Sequence, residues 1–192
     1  PTVHGIGITG DSQVRVDGKH TKEYRLWNNM LKRCYSVGCQ KVRPTYIDCS
    51  VSENFRYLQY FKEWCNNQIG FNSVDEKGKP FALDKDILVK GNRVYNEDVC
   101  VFVPQEVNLL FTKRDKSRGE YPIGVSFHKS RGMLTATLNN KYLGYFNTAE
   151  QAFQVYKTAK EAYIKEVANK WKDKIDPKVY EALMNYEVHI DD

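Results

Sequence analysis

Ile123-Gly124-Val125-Ser126-Phe127-His128-Lys129, Met133-Leu134-Thr135-Ala136-Thr137-Leu138-Asn139 and Tyr142-Leu143-Gly144-Tyr145-Phe146 are three short runs rich in β-branched and aromatic residues. They are joined at Ser130-Arg131-Gly132 and at Asn140-Lys141. Runs of this length, alternating at period two and separated by tight polar connections, predict an antiparallel three-stranded meander. Thr148-Ala149-Glu150-Gln151 follows as a capping box. Behind it Ala152, Tyr156, Ala159, Tyr163 and Val167 recur at steps of four, three, four and four, which predicts a long helix. Three antiparallel strands cannot bury both faces. The helix therefore covers one face and leaves the other to solvent or a ligand. With Val125, Leu134, Ala136 and Leu138 turned to the helix, Ser126, His128, Thr135, Thr137 and Asn139 point outward. A last helix is predicted from Asp176-Pro177, with proline at its first position.

Upstream, Gly5, Gly7, Gly10 and Gly18 with the short piece Val14-Arg15-Val16 predict a loop or small hairpin over residues 1–20. Tyr24, Trp27, Leu31 and Cys34 form one stripe of a helix from about Thr21 to Ser36. Pro44-Thr45-Tyr46-Ile47 reads as extended. Ser52 is placed to cap a second helix whose stripe is Phe55, Leu58, Phe61 and Cys65, ended by Gly70. After a polar loop over 71–81, a strand near Phe81–Leu88, a turn at Gly91-Asn92, a strand near Val99–Val103 and a helix after Pro104 make a ββα unit. The charged run Thr112–Tyr121 is the natural linker, so the chain divides into modules at 1–111 and 122–192. The expected class is α+β: a helical and ββα module, then a sheet packed on a helix.

Charge separates these modules. Residues 1–110 carry 15 basic against 13 acidic side chains, residues 111–174 carry 13 against 6, and residues 175–192 carry 1 against 5. A net of +7 confined to one stretch points to a polyanionic partner for that stretch. Apolar residues at 41% are enough for a core, which excludes global disorder. No apolar run approaches the roughly 20 residues of a spanning helix, so no membrane partner is expected. Pro1-Thr2-Val3-His4 has no basic segment followed by an apolar one, so no signal peptide is expected and the chain reads as intracellular. Five cysteines without a C-x-x-C pair argue against a disulfide framework or a four-cysteine zinc site, and predict reduced, mostly buried thiols.

The register of Gly124-Val125, Leu134-x-Ala136-x-Leu138, Tyr142-Leu143-Gly144-Tyr145-Phe146-x-Thr148-x-Glu150-x-Ala152, and Tyr156 with Ala159 resembles the plant ethylene-response-factor (Apetala-type) DNA-binding domain. That domain also occurs in phage homing endonucleases. The resemblance spans about residues 121–168. It implies a sheet whose exposed face enters the major groove of double-stranded DNA. On that picture Ser126, His128, Thr135, Thr137, Asn139 and Tyr142 face the bases, while Arg118, Lys129, Arg131 and Lys141 reach phosphates. The arginines and tryptophans that read DNA in the plant proteins are mostly replaced here, so the plant target sequence does not carry over.

The first module is similar to phage HNH-type endonucleases. The residues concerned are Trp27-x-x-Met30-Leu31-x-Arg33-Cys34, Pro44-Thr45-Tyr46-x-Asp48, Phe55, Trp64, Leu83-Asp84-Lys85-Asp86, Gly91-Asn92-x-x-Tyr95, Cys100 and Asn108. By position, the resemblance makes Asp84 or Asp86 a ligand and Asn108 the helix ligand of a divalent cation, Mg²⁺ or Mn²⁺. Such a cation stabilises the phosphate transition state while a general base activates water. The base position holds Lys85; lysine is ordinarily protonated at neutral pH, a poor base and better suited to holding phosphate. His4, His20, His128 and His189 all lie outside the ββα stretch. Either His4 or His20 folds in, or the unit keeps the fold without the cut. The expected function is therefore double-stranded DNA binding, with metal-dependent nicking or cleavage open. A non-catalytic DNA-binding regulator is the first alternative. A phage factor acting on a host protein through the acidic tail Tyr186–Asp192 is the second.

Overall fold

The computed structural model describes residues 2–112 and 119–192; most of the expected linker, and Arg118 with it, lie outside the described residues. The chain is mixed helix and strand, as the α+β reading expects. It divides into two compact units, one of residues 1–105 with 173–179 and one of 106–172 with 180–192. The division falls inside the helix after Pro104 rather than at residues 112–121, and the segment 173–179 returns to the first unit.

In the first unit, β1 (Arg15–Val16) and β2 (Lys19–His20) form a hairpin. Asp17 and Gly18 both have positive φ, the type I′ turn that matches strand twist. Helix α1 (Lys22–Tyr35) begins where the Thr21 hydroxyl accepts from the Tyr24 amide, and buries Trp27, Met30, Leu31 and Cys34. The indole of Trp27 donates to the Phe55 carbonyl at 2.8 Å, so the largest apolar side chain of the stripe spends its one polar group. A Cβ on Gly7 would fall 2.4 Å from Leu31 and 2.7 Å from Trp27. Only glycine lets the N-terminal segment lie directly on α1.

Helix α2 (Val37–Val42) has no buried residue and so left no periodic apolar signal in the sequence. Pro44–Tyr46 is a 3₁₀ turn, not an extended piece. Proline's fixed φ suits the first position of such a turn as well as a strand. Ser52 accepts from the Phe55 amide ahead of a 3₁₀ turn over Asn54–Arg56 rather than capping a helix, and α3 (Leu58–Asn66) starts only afterwards. Phe55, Phe61, Trp64, Phe71 and Phe102 pack ring against ring at 4.9–5.9 Å and form the centre of the core.

Strand β3 (Ser50–Val51) pairs in parallel with β5 (Val94–Tyr95), and β4 (Ala82–Asp84) pairs antiparallel with β6 (Val101–Val103). The anticipated ββ pair is thus β4 with β6, and the unexpected β5 between them belongs to another pair. Helix α4 (Gln105–Leu109) follows.

In the second unit, β7 (Val125–His128), β8 (Met133–Leu138) and β9 (Lys141–Phe146) form the meander in the order of the chain. The β8–β9 loop is Asn139-Asn140, both at positive φ, one residue earlier than the sequence suggested. Thr148 caps α5 (Ala149–Trp171) by accepting from the Gln151 amide. Ala152, Tyr156 and Val167 of the anticipated stripe are buried, and Phe153, Ile164, Ala168 and Trp171 join them; Ala159 and Tyr163 stay half-buried. Val125 and Ala136 supply the sheet's side of this core. At Gly124, with φ +75°, a Cβ would lie 2.0 Å from the Tyr156 ring, so backbone and packing both demand glycine. Helix α6 (Pro177–Met184) begins at the proline, as expected.

Candidate nucleic-acid interface and the Asp84 turn

Register fixes the two faces of the meander. Val125 opposite Ala136 opposite Gly144 forms the helix side, and Ser126 opposite Thr135 opposite Tyr145 forms the outer side. A bulge between Ala136 and Thr137 then brings Tyr142 opposite Thr137.

The outer side is not a plain polar surface. The His128 ring meets Tyr145 edge-on at 5.3 Å, Tyr142 lies nearly parallel to Tyr145 at 6.3 Å, and the Arg131 guanidinium sits 4.5 Å over the Tyr145 ring. Thr135, expected to point outward and reach bases, is only 2% exposed. Its hydroxyl donates to the Gly144 carbonyl at 2.9 Å. Parity turned Thr135 outward as anticipated, but it lies on the strand between two others and a buried hydroxyl must find a partner.

Ser126, Lys129, Arg131, Asn139 and Lys141 are exposed, Tyr142 is 60% exposed, and His128 and Thr137 are half-buried. Asn139 has a conformational duty as well, since asparagine tolerates the left-handed backbone this two-residue turn requires. Chemically the face offers two exposed lysines at its turns, an arginine held by an aromatic ring, and a tyrosine open to stacking. Tyr145, at the centre of that cluster, was absent from the expected contact residues. Its place opposite Thr135 was the available signal.

In the first unit, Asp84 ends β4. Its Oδ1 accepts from the backbone amides of Asp86 (2.9 Å) and Ile87 (2.8 Å), closing the turn that follows the strand. Burial, reinforced by the neighbouring Asp86 carboxylate, pushes its pKa up to about 6 against the two amide bonds and Lys85. Lys85 is itself buried, donating to the Asn92 carbonyl at 2.9 Å and to Asp86 Oδ2 at 3.1 Å. Asn92 returns bonds to the carbonyls of Lys85 and Val94. Lys85 thus holds its own turn rather than offering its charge to phosphate.

Asn108 is on α4 in the second unit, whereas Asp84 and Asp86 are in the first, so neither unit contains the expected ligand trio. His4 bonds Asn28, and His20 stacks on Tyr24. Among the described residues no three His, Cys, Asp or Glu side chains are gathered as a metal set. Asp84 Oδ1 is spent on two backbone amides, and Asp86 Oδ2 holds the Lys85 ammonium.

All five cysteines are free, four of them buried. Among the described residues no helix is long and apolar enough to cross a membrane. In comparisons with known proteins, no family model, no curated protein and no solved structure matches this chain.

Proposed function

We propose that this protein binds double-stranded DNA through the outer face of the β7–β9 sheet. The observation that carries the reading is the asymmetry of that sheet. One face packs on α5 through Val125 and Ala136, and the other is open, with Lys129, Arg131 and Lys141 exposed at its turns and Ser126 and Tyr142 between them. Cations at the rim can bridge two phosphate strands while the strand surface meets the groove. The excess of +7 over residues 111–174 supports the same partner.

The Asp84–Lys85–Asp86 turn favours the regulator over the nuclease. Asp84 Oδ1, Lys85 Nζ and Asp86 Oδ2 are committed to one another and to backbone, so the first unit has a structural use for these residues. Fluorescence anisotropy on labelled duplex over a salt series tests binding. The reading expects log affinity to fall linearly with log salt, and the Lys129→Ala, Arg131→Ala, Lys141→Ala triple variant to lower both affinity and slope. Absence of binding at low salt would refute it and favour a protein partner. Nicking of a supercoiled plasmid with Mg²⁺ or Mn²⁺, lost in Asp84→Ala, would restore the endonuclease.

A further inference from the structure

A cavity of the second unit lies away from the aromatic cluster. It encloses about 810 Å³ between α5, the β7 and β8 ends near Gly124 and Asn139, the segment after α4 and the C-terminal tail. That volume lies within the roughly 300–1,000 Å³ of small-molecule sites.

Lys160 of α5 lines it, half-buried. Among the described residues its ammonium has no carboxylate, carbonyl or ring partner. Thr137, Asn139 and Tyr163 line the same space, and among the described residues their side-chain polar groups are likewise unspent. The acids on this wall are differently placed. Glu106 is taken by Lys170 and the Trp171 indole at 2.8 Å each, and Asp192 accepts from the His189 amide at 2.9 Å. Burial of Lys160 lowers its pKa, the mark of a cation held from water without compensation.

A half-buried cation is normally paired, because desolvation is costly. Here the missing partner is an anion with several acceptor oxygens, matched to one ammonium and to hydroxyl and amide donors at more than one point of the wall. The rings of Tyr156, Tyr163 and Tyr186 add flat apolar wall for a planar body. We propose that the Lys160 cavity binds a nucleoside monophosphate group, its phosphate on Lys160 and its base against the tyrosines. Lys160 is not among the residues proposed to meet duplex, so Lys160→Met tests this site separately from duplex binding. The group could arrive as a free nucleotide or as the 5′-phosphate of a DNA strand.

Isothermal titration of the full chain with AMP, CMP and the matching nucleosides tests the shared chemistry. Monophosphates are expected to bind more tightly than nucleosides. A charge-assisted hydrogen bond corresponds to roughly 10- to 100-fold in affinity, so Lys160→Met should lose about that factor for the monophosphate and little for the nucleoside. Methionine keeps the apolar stem, and an unchanged thermal midpoint shows that the fold is intact. Thr137→Val provides a second, milder loss should Lys160→Met fail to fold. Oligonucleotides with and without a 5′-phosphate identify the source. A preference abolished by Lys160→Met assigns the site to a strand end, and binding of free monophosphate alone assigns it to nucleotide. Equal binding of monophosphate and nucleoside, indifference to both substitutions, or no binding at millimolar concentration overturns the proposal.

Discussion

Replacing Asp84 with asparagine separates the two things this side chain does. An amide oxygen still accepts from the Asp86 and Ile87 backbone, so the turn keeps its closure. What disappears is a buried negative charge beside the Asp86 carboxylate. Burial first, and that neighbour second, raise Asp84 from 3.8 to about 6. At about 1.4 kcal/mol per unit the shift corresponds to about 3 kcal/mol. The sign follows from proton counting. Between about pH 4 and pH 6 the folded chain holds a proton that the unfolded chain has released, so stability falls as pH rises through that window. The full cost is present above it.

Urea unfolding of both proteins from pH 4 to pH 7 reads this directly. The difference in stability should move by about 2.4 kcal/mol in favour of Asp84→Asn between the two ends, since a small part of the shift lies below pH 4. The new amide hydrogens add an offset, but that offset does not titrate. A difference that stays constant, or that moves toward the wild type at neutral pH, would mean that Asp84 needs its charge when folded. The account of the turn as a structural device would then be wrong.

Gly124→Ala places a methyl group within the Tyr156 ring and forces alanine to φ +75°. Left-handed strain of about 1–2 kcal/mol and overpacking of about 1–3 kcal/mol should together lower stability by about 2–5 kcal/mol in chemical denaturation. Thr148→Ala removes the acceptor for the Gln151 amide and should cost about 1 kcal/mol, with the rest of α5 intact by circular dichroism. Alkylation of the native protein should modify Cys39 first. Burial pushes Cys34 and Cys100 up to about 12, whereas Cys39 is half-exposed; mass spectrometry after a short iodoacetamide pulse checks the order. Each single replacement of Lys129 or Lys141 should reduce the salt slope of duplex binding by about 0.9 if that residue contacts one phosphate.

The local grammar of the second unit was open to sequence reasoning because its signals are short-range. Alternation placed β7, β8 and β9 within a residue or two, and Thr148 marked the start of α5. The same holds for α1, where Trp27, Leu31 and Cys34 of the anticipated stripe are buried, with Met30 added and Tyr24 half-buried. What tertiary structure alone decided were matters of partnership. Period-two alternation assigns Thr135 to a face, but only neighbouring strands and the Tyr145 cluster decide that this face is covered there. Lys85 and Asp86 look like chemistry beside Asp84 until the turn supplies the Asn92 carbonyl that holds the ammonium. Strand β5 has two residues and a parallel partner over forty positions away, so no local pattern could announce it. Lys160 is one lysine among many in the sequence, and becomes singular only where the fold buries it without a counter-charge. Periodicity records which side of an element is apolar; pairing, burial and charge compensation depend on groups far apart in the chain, and exist only once it has folded.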